Sequence, residues 1–145
     1  MSPLHTPRGR VLGLDVGDRR IGVALSDALR ISAQRLTLIE RQGTTRDIDT
    51  IAALVGEHAV VEVVVGLPLT LRGDVGEQAE RVLGFVEALQ QRLSCPVHVL
   101  DERLTTLQGE RLLIAMDTSR RKRKGLIDQI AAQLILQSYL DAGAS

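Results

Sequence analysis

Acidic residues break otherwise apolar stretches at three places in the sequence, and these residues are the best candidates for chemistry. Asp15 interrupts a short apolar run near the N-terminus. Asp101 and Glu102 directly follow a second apolar run, and Asp128 lies in a mostly apolar segment near the end of the chain. Carboxylates that converge repel one another, and a hard divalent cation such as Mg²⁺ or Mn²⁺ relieves that repulsion. Metal-assisted hydrolysis of phosphodiesters is the chemistry that such a site performs.

Each acid also has an ordinary structural explanation. Asp128 is expected in the first turn of the last predicted helix, where a negative charge interacts favourably with the helix dipole. Asp101 and Glu102 could be solvated loop charges. Asp15 is hardest to explain in this way, because both of its neighbours are aliphatic and an unpaired buried carboxylate is unfavourable. The metal-site hypothesis therefore depends on a fold that brings the acids together.

A run of five consecutive cations shortly precedes Asp128, although the formal net charge of the chain is zero. The five are Arg120, Arg121, Lys122, Arg123 and Lys124. The run is either a solvated loop or an electrostatic clamp that holds phosphates without reading base sequence. Its position beside Asp128 favours the clamp. We expect Arg19, Arg20 and Arg103 to hold phosphates as well.

The elements that must position these residues follow from apolar patterning. Strands are predicted at residues 11–16, 20–26, within 32–39, 60–66 and 97–100. Four helices are predicted. The first follows Thr44 and Thr45, which could cap it, and the second has an apolar face from Val75 to Leu93. The third runs from a capping-box pattern at Thr105 to about residue 116, and the fourth covers about residues 126–140. The stripe of the last helix is predicted at Ile127, Ile130, Ala131, Leu134, Ile135 and Ser138.

This order of elements predicts an α/β fold. Three meandering strands followed by βαβ crossovers imply a five-stranded mixed sheet of order 3-2-1-4-5, with helices on both faces. The first strand is then central, and ligands of such sheets bind beyond the carboxyl ends of the parallel strands. The acids could therefore meet at that edge.

Composition and length exclude several other classes of protein. A chain of 145 residues forms a single domain, predicted at residues 11–145 after a disordered leader at 1–10. Cys95 is the only cysteine, so an internal disulfide is impossible, and no apolar run could span a membrane. The aromatic residues are too few for a base-stacking platform, and the three histidines lack metal-ligand spacing. A cytoplasmic protein, monomeric or homodimeric, is expected.

Four segments together resemble one family along almost the whole chain. They are GLDVGDRRIGVALSD, VVVGLPLTLRGDVGEQA, DERLTT and KGLIDQIAAQLILQSYL. In this order they resemble the YqgF/RuvX family of pre-16S rRNA nucleases, which are also described as Holliday-junction-resolvase-like. The resemblance implies an RNase H-like fold, divalent-metal-dependent cleavage of nucleic acid, and processing of the 5′ end of the small-subunit ribosomal RNA. Its partners would be pre-rRNA and the ribosomal small subunit, or branched DNA.

The resemblance also implies roles for the acids. Asp15 matches the family's acid on the first strand, Glu102 matches the second acid, and Asp128 matches the acid on the terminal helix. The wider RNase H-like pattern has an acid at the end of the fourth strand, whereas this chain has Gly66 there. Adjacent side chains face opposite ways, which leaves Asp101 and Glu102 as alternatives for the inward ligand. We predict Glu102, with Asp101 as its partner.

Three other functions remain open from the sequence. A junction-specific DNA resolvase would use the same chemistry and would have to act as a dimer. A non-catalytic factor in ribosome assembly could retain the fold without the activity. An ATP-binding module is suggested only by Asp15-Val16-Gly17, which resembles one phosphate loop of much longer actin-like ATPases.

Overall fold

A five-stranded mixed sheet is the centre of the fold. The computed structural model describes residues 9–104 and 120–143. The strands are β1 (Arg10–Val16), β2 (Arg20–Ser26), β3 (Ala33–Glu40), β4 (Val60–Leu67) and β5 (Val97–Asp101). They lie in the order β3-β2-β1-β4-β5, which confirms the predicted order. The first three strands are antiparallel neighbours, and β4 and β5 run parallel to β1.

Helices cover both faces of this sheet, as predicted. They are α1 (Thr44–Glu57), α2 (Glu77–Arg92) and α3 (Arg120–Gly143), and a short 3-10 turn, Glu102–Leu104, follows β5. Helices α1 and α2 pack on one face, around a large aliphatic cluster that includes Leu12, Leu14 and Ile51. Helix α3 packs on the other face, around a smaller cluster that includes Val11 and Leu136. Successive residues of β1 therefore alternate between the two layers.

Helix α3 lies unusually close to the sheet, because glycines face it. A Cβ atom on Gly13 would lie 2.7 Å from Leu136 Cβ. On Gly22 it would overlap the backbone carbonyl group of Asp128 and lie 3.0 Å from Gln129 N. The backbone of α3 thus rests almost directly on β1 and β2, and this contact fixes the position of Asp128.

The beginning of α3 differs from the prediction. The helix begins at Arg120 rather than near residue 126, so Asp128 is not in its first turn and the helix-dipole explanation for this acid is wrong. The prediction placed the basic run before the helix, whereas in the structure Arg120 to Lys124 belong to it. Gly125 allows close packing, since a Cβ there would lie 3.0 Å from Leu38 Cδ2.

The predicted stripe of α3 is also only partly right. Ile130 and Ile135 are buried as expected, but Ala132 and Leu136 are buried in place of Ala131 and Leu134. The buried stripe faces the glycines of the sheet. The spacing of apolar residues along the helix does not show where those glycines lie.

The beginnings of α1 and α2 also differ from the prediction. Gly43 precedes α1 and no side chain caps the helix there, so Thr44 and Thr45 are not caps. Val75, the first residue of the predicted apolar face, lies before α2 and is half-exposed.

Gly9 and Arg10, predicted as part of the leader, belong to the fold. The helix predicted from Thr105 to residue 116 lies outside the described residues. Within the described part of the chain, no helix is long and apolar enough to cross a membrane.

Candidate active site

Asp15 lies near the carboxyl end of the central strand β1, on the face that α3 covers. Its paired residue on the neighbouring strand β2 is Gly22, whose missing side chain leaves room for the backbone of Asp128. The carboxyl groups of Glu102 and Asp128 are close enough to act on Asp15 electrostatically. The structure therefore brings together the three acids that the sequence singled out, one from β1, one from the turn after β5 and one from α3.

The carboxyl groups of Asp15 and Glu102 form a hydrogen bond with each other. Burial raises the pKa of Asp15 well above its usual range, and the nearby charges of Glu102 and Asp128 raise it further. Burial also raises the pKa of Glu102, although its hydrogen bond with Asp15 acts in the opposite direction. Two carboxyls in this arrangement retain a shared proton to a higher pH than isolated carboxyls do. A proton or a bound cation therefore stabilises this pair of carboxyl groups.

The structure distinguishes Asp101 from Glu102 as the acid that faces Asp15. Glu102 turns toward Asp15, and its Oε2 lies 3.5 Å from where a Cβ on Gly66 would be. Asp101 instead accepts hydrogen bonds from Arg103, from Nη2 at 2.6 Å and from Nε and the backbone N at 3.0 Å. Glu102 therefore reaches toward the end of β4, where Ile135 of α3 packs directly against Gly66.

Asp128 is held by a basic residue of β2. Arg20 Nε donates a hydrogen bond to Asp128 Oδ2 at 2.8 Å, and both side chains are about three-quarters buried. This ion pair raises the pKa of Arg20, mainly through the hydrogen bond. Glu40, which pairs with Arg20 from the neighbouring strand β3, also raises the pKa of Arg20 through a weaker electrostatic attraction. Asp128 is thus oriented by Arg20 in the structure.

The three acids have the donor chemistry that Mg²⁺ or Mn²⁺ requires. They supply hard carboxylate oxygens, and their mutual repulsion at Asp15 calls for a cation. In their present conformation, however, no three Asp, Glu, His or Cys side chains of the described ranges are spaced as ligands of one ion. The site is therefore a chemically suitable but not a fully arranged set of ligands.

The basic residues predicted to hold phosphates are placed differently from one another. Arg19 is exposed beside the site, whereas Arg20 contacts Asp128. Arg103 contacts Asp101 and also donates to the carbonyl oxygen of Leu71 at 3.3 Å, so it braces the loop between β4 and α2. The five cations from Arg120 to Lys124 form the beginning of α3. Their contact with phosphates stays a prediction.

One basic residue near the site was not anticipated from the sequence. Arg41 donates from Nε to the buried carboxylate of Asp47 at 2.8 Å and from Nη1 to the carbonyl oxygen of Gly17 at 3.1 Å. Its guanidinium also lies 5.1 Å from the ring centroid of Phe85. Arg41 thereby joins the turn after β1 to α1 and α2. No spacing rule indicates this network, because its members meet only in the folded chain.

The sheet order and the layers are those of the RNase H-like class. The fold is similar to RuvC of Thermus thermophilus, solved in complex with a Holliday junction substrate, with a TM-score of 0.62, 15% identity and coverage of 94% of this chain and 97% of that chain. It is also similar to the Fowlpox virus resolvase, solved with Holliday junction DNA, with a TM-score of 0.59, 12% identity and coverage of 94% and 99%. The chain belongs to the RuvX family, whose model is described as "Holliday junction resolvase" and matches residues 9–142.

Curated relatives agree with this membership. A "Putative pre-16S rRNA nuclease" of Desulforamulus reducens is 47% identical over 135 residues, which cover 93% of this chain and 98% of the relative. A protein of the same name from Caldanaerobacter subterraneus subsp. tengcongensis is 52% identical over 134 residues, with coverage of 92% and 96%. The family description and the names of these relatives are those of nucleases, which supports a nuclease function for this chain.

Proposed function

We propose that the protein is a divalent-metal-dependent nuclease that processes the 5′ end of pre-16S rRNA, as free RNA or on the small ribosomal subunit. The observation that carries the proposal is the convergence of Asp15, Glu102 and Asp128 at one edge of the sheet. The names of the curated relatives support the choice of RNA.

The three acids would hold Mg²⁺ or Mn²⁺. When bound, such ions supply activation of a water molecule and stabilisation of the leaving oxygen. Asp15 lies on the central strand β1 and interacts with both of the other acids. Glu102 and Asp128 approach it from the turn after β5 and from α3. Arg103 braces the neighbouring loop through Leu71 and so shapes the entrance for a nucleic-acid strand.

A cleavage assay tests the proposal directly. Purified protein is incubated with RNA that contains the 5′ precursor region of 16S rRNA, in Mn²⁺, in Mg²⁺ and in excess chelator. We expect cleavage with either ion and none with chelator, because the carboxylates alone cannot activate water. Cleavage that persists in chelator would remove the metal dependence. Metal-independent RNA binding without cleavage would instead indicate a non-catalytic assembly factor.

A matched pair of variants tests the assignment of the second acid. We expect Glu102→Gln to lower the cleavage rate by at least about 10²-fold, because Glu102 contacts Asp15. Asp101→Asn should stay within about threefold of wild type, because Asp101 contacts Arg103 rather than the acids. Single-turnover rates with saturating Mn²⁺ provide the measurement. The reverse order of effects would transfer the role to Asp101.

Neutralising the cations at the beginning of α3 tests the phosphate clamp. Replacing Arg120, Arg121, Lys122, Arg123 and Lys124 by Gln should weaken RNA binding and flatten the dependence of log K on log salt. Each lost phosphate contact reduces the slope by roughly 0.7 for a single strand. Titrations at several salt concentrations, with chelator present to prevent cleavage, measure the slope. An unchanged slope would exclude these residues from the interface.

A Holliday junction resolvase is the second candidate, because the family model carries that description. Resolution requires two symmetry-related cuts and therefore a dimer. Four-way junction DNA and structured RNA, compared at equal concentration with sedimentation analysis of the protein, separate the two functions. Paired symmetrical cuts by a dimer, with RNA left intact, would favour the resolvase.

A further inference from the structure

Arg20, which the sequence suggested as a phosphate contact, instead lies against one of the three acids of the site. It is the first residue of β2 and donates through Nε to Oδ2 of Asp128 at 2.8 Å. A guanidinium is always protonated, so this residue places a permanent positive charge against one of the three acids. The pair is only about one-quarter exposed, which limits solvent screening of that charge.

The orientation of Asp128 toward Arg20 has a consequence for metal binding. The three acids act on one another electrostatically, yet within the described ranges no three of the potential ligands are spaced to hold one ion. For Asp15 and Asp128 to share a divalent ion, their carboxylates would have to lie in a different arrangement from the one seen here, in which Arg20 Nε holds Asp128 Oδ2 at 2.8 Å. The ion and the guanidinium also repel each other, because both are cations in a poorly solvated site.

We infer that Arg20 is a positioning residue that competes with the divalent ion for Asp128. In the metal-free protein it neutralises Asp128 and holds it in place. With a divalent ion bound, the guanidinium of Arg20 would leave Asp128 and would lie free beside the site, where it could contact a phosphate. This inference rests on the proposed function, since it assumes that Asp128 is a metal ligand.

The competition has a definite sign. If two cations compete for one carboxylate, removing the internal cation increases the affinity for the external one. A partner that merely orients a metal-bound carboxylate has the opposite effect, because its loss lowers metal affinity, typically by 10- to 100-fold. Metal affinity in variants of Arg20 therefore distinguishes competition from simple support.

Calorimetric titration with Mn²⁺ alone, without nucleic acid, tests the inference on the full chain. We expect Arg20→Gln to bind Mn²⁺ about tenfold more tightly than wild type, within the usual range of coupling between two ligands. Arg20→Lys keeps the charge but loses the planar donor geometry, so an intermediate gain of about threefold is expected. Arg92→Gln is the control, because it removes an arginine paired with exposed Asp49, and its affinity should not change.

Each outcome decides the question. Equal or weaker binding by Arg20→Gln overturns the competition while leaving the metal site of the proposed function intact. If Arg20→Gln does not fold, Arg20→Lys decides in the same way, and equal or weaker binding overturns the inference. If wild type and all variants fail to bind Mn²⁺, both the metal site and the inference are wrong.

Discussion

Asp15→Asn lowers the rate of nucleic-acid cleavage by about 10³-fold or more, with the fold intact. Asp15 interacts electrostatically with both other acids of the site. Asparagine keeps its shape but cannot supply an anionic oxygen to a metal ion. Single-turnover cleavage with Mn²⁺ measures the loss. Asp18→Asn is the matched control, because Asp18 lies on the same hairpin, is mostly exposed and should retain its activity.

The same substitution should stabilise the metal-free protein. The pKa of Asp15 is raised in the folded state, so its stabilising contribution is complete below the ordinary value of an aspartate and is lost as the pH rises through the raised value. Wild type therefore becomes less stable from about pH 4 toward neutral pH and above. Asp15→Asn should flatten this dependence and add about 1–3 kcal/mol near neutral pH.

Denaturant unfolding in chelator at several pH values measures this effect, and the two observations must occur together. An inactive variant that is also destabilised would indicate a damaged fold rather than a lost ligand. Wild-type activity in Asp15→Asn, in a preparation free of contaminating nuclease, would contradict the proposed chemistry outright.

Gly22→Ala destabilises the protein by about 3 kcal/mol and strongly reduces cleavage. The added methyl group would overlap the backbone carbonyl group of Asp128, which cannot rotate away as a side chain could. Helix α3 must then move off β2, which separates Asp128 from Arg20 and from Asp15. Thermal or denaturant unfolding measures the stability, and the cleavage assay measures the displacement of the acid.

Gly84→Ala provides the matched control for this prediction. Gly84 lies within α2, and a Cβ there would have no other atom within 4 Å. Alanine is favoured over glycine inside a helix, so this variant should gain about 0.5–1 kcal/mol and keep full activity. If Gly22→Ala behaved like Gly84→Ala, close contact between α3 and the sheet would not be what positions Asp128.

The sheet could be predicted from the sequence because each strand carries its own signal. The nearly continuous β-branched run in β4 indicates a strand covered on both faces, and the Gly17-Asp18 turn fixes a hairpin of β1 and β2. The boundaries of α3 could not be predicted in this way. The packing of α3 on Gly13 and Gly22 is a contact between distant parts of the chain, which the local pattern of the helix does not show.

The convergence of the acids was also predictable, but their partners were not. An acid in the central strand, an acid directly after a neighbouring parallel strand and an acid on the last helix can meet at one edge of the sheet if the strand order is right. In contrast, the preference of Asp101 for Arg103 and the contact of Arg20 with Asp128 depend on side-chain directions in turns and across layers. The sequence indicates that Arg20 and Arg103 lie near the site. It does not indicate that they pair with Asp128 and Asp101.

The close contact between α3 and the sheet links heat resistance to catalysis. Backbone rests on backbone at Gly22, so no compressible layer of side chains absorbs a small shift of the helix. Loosening of this one helix would carry Asp128 away from Asp15 and Glu102, while the larger aliphatic layer on the opposite face still held the sheet together. The working temperature of such a protein would be limited by helix docking, well before the strands themselves come apart.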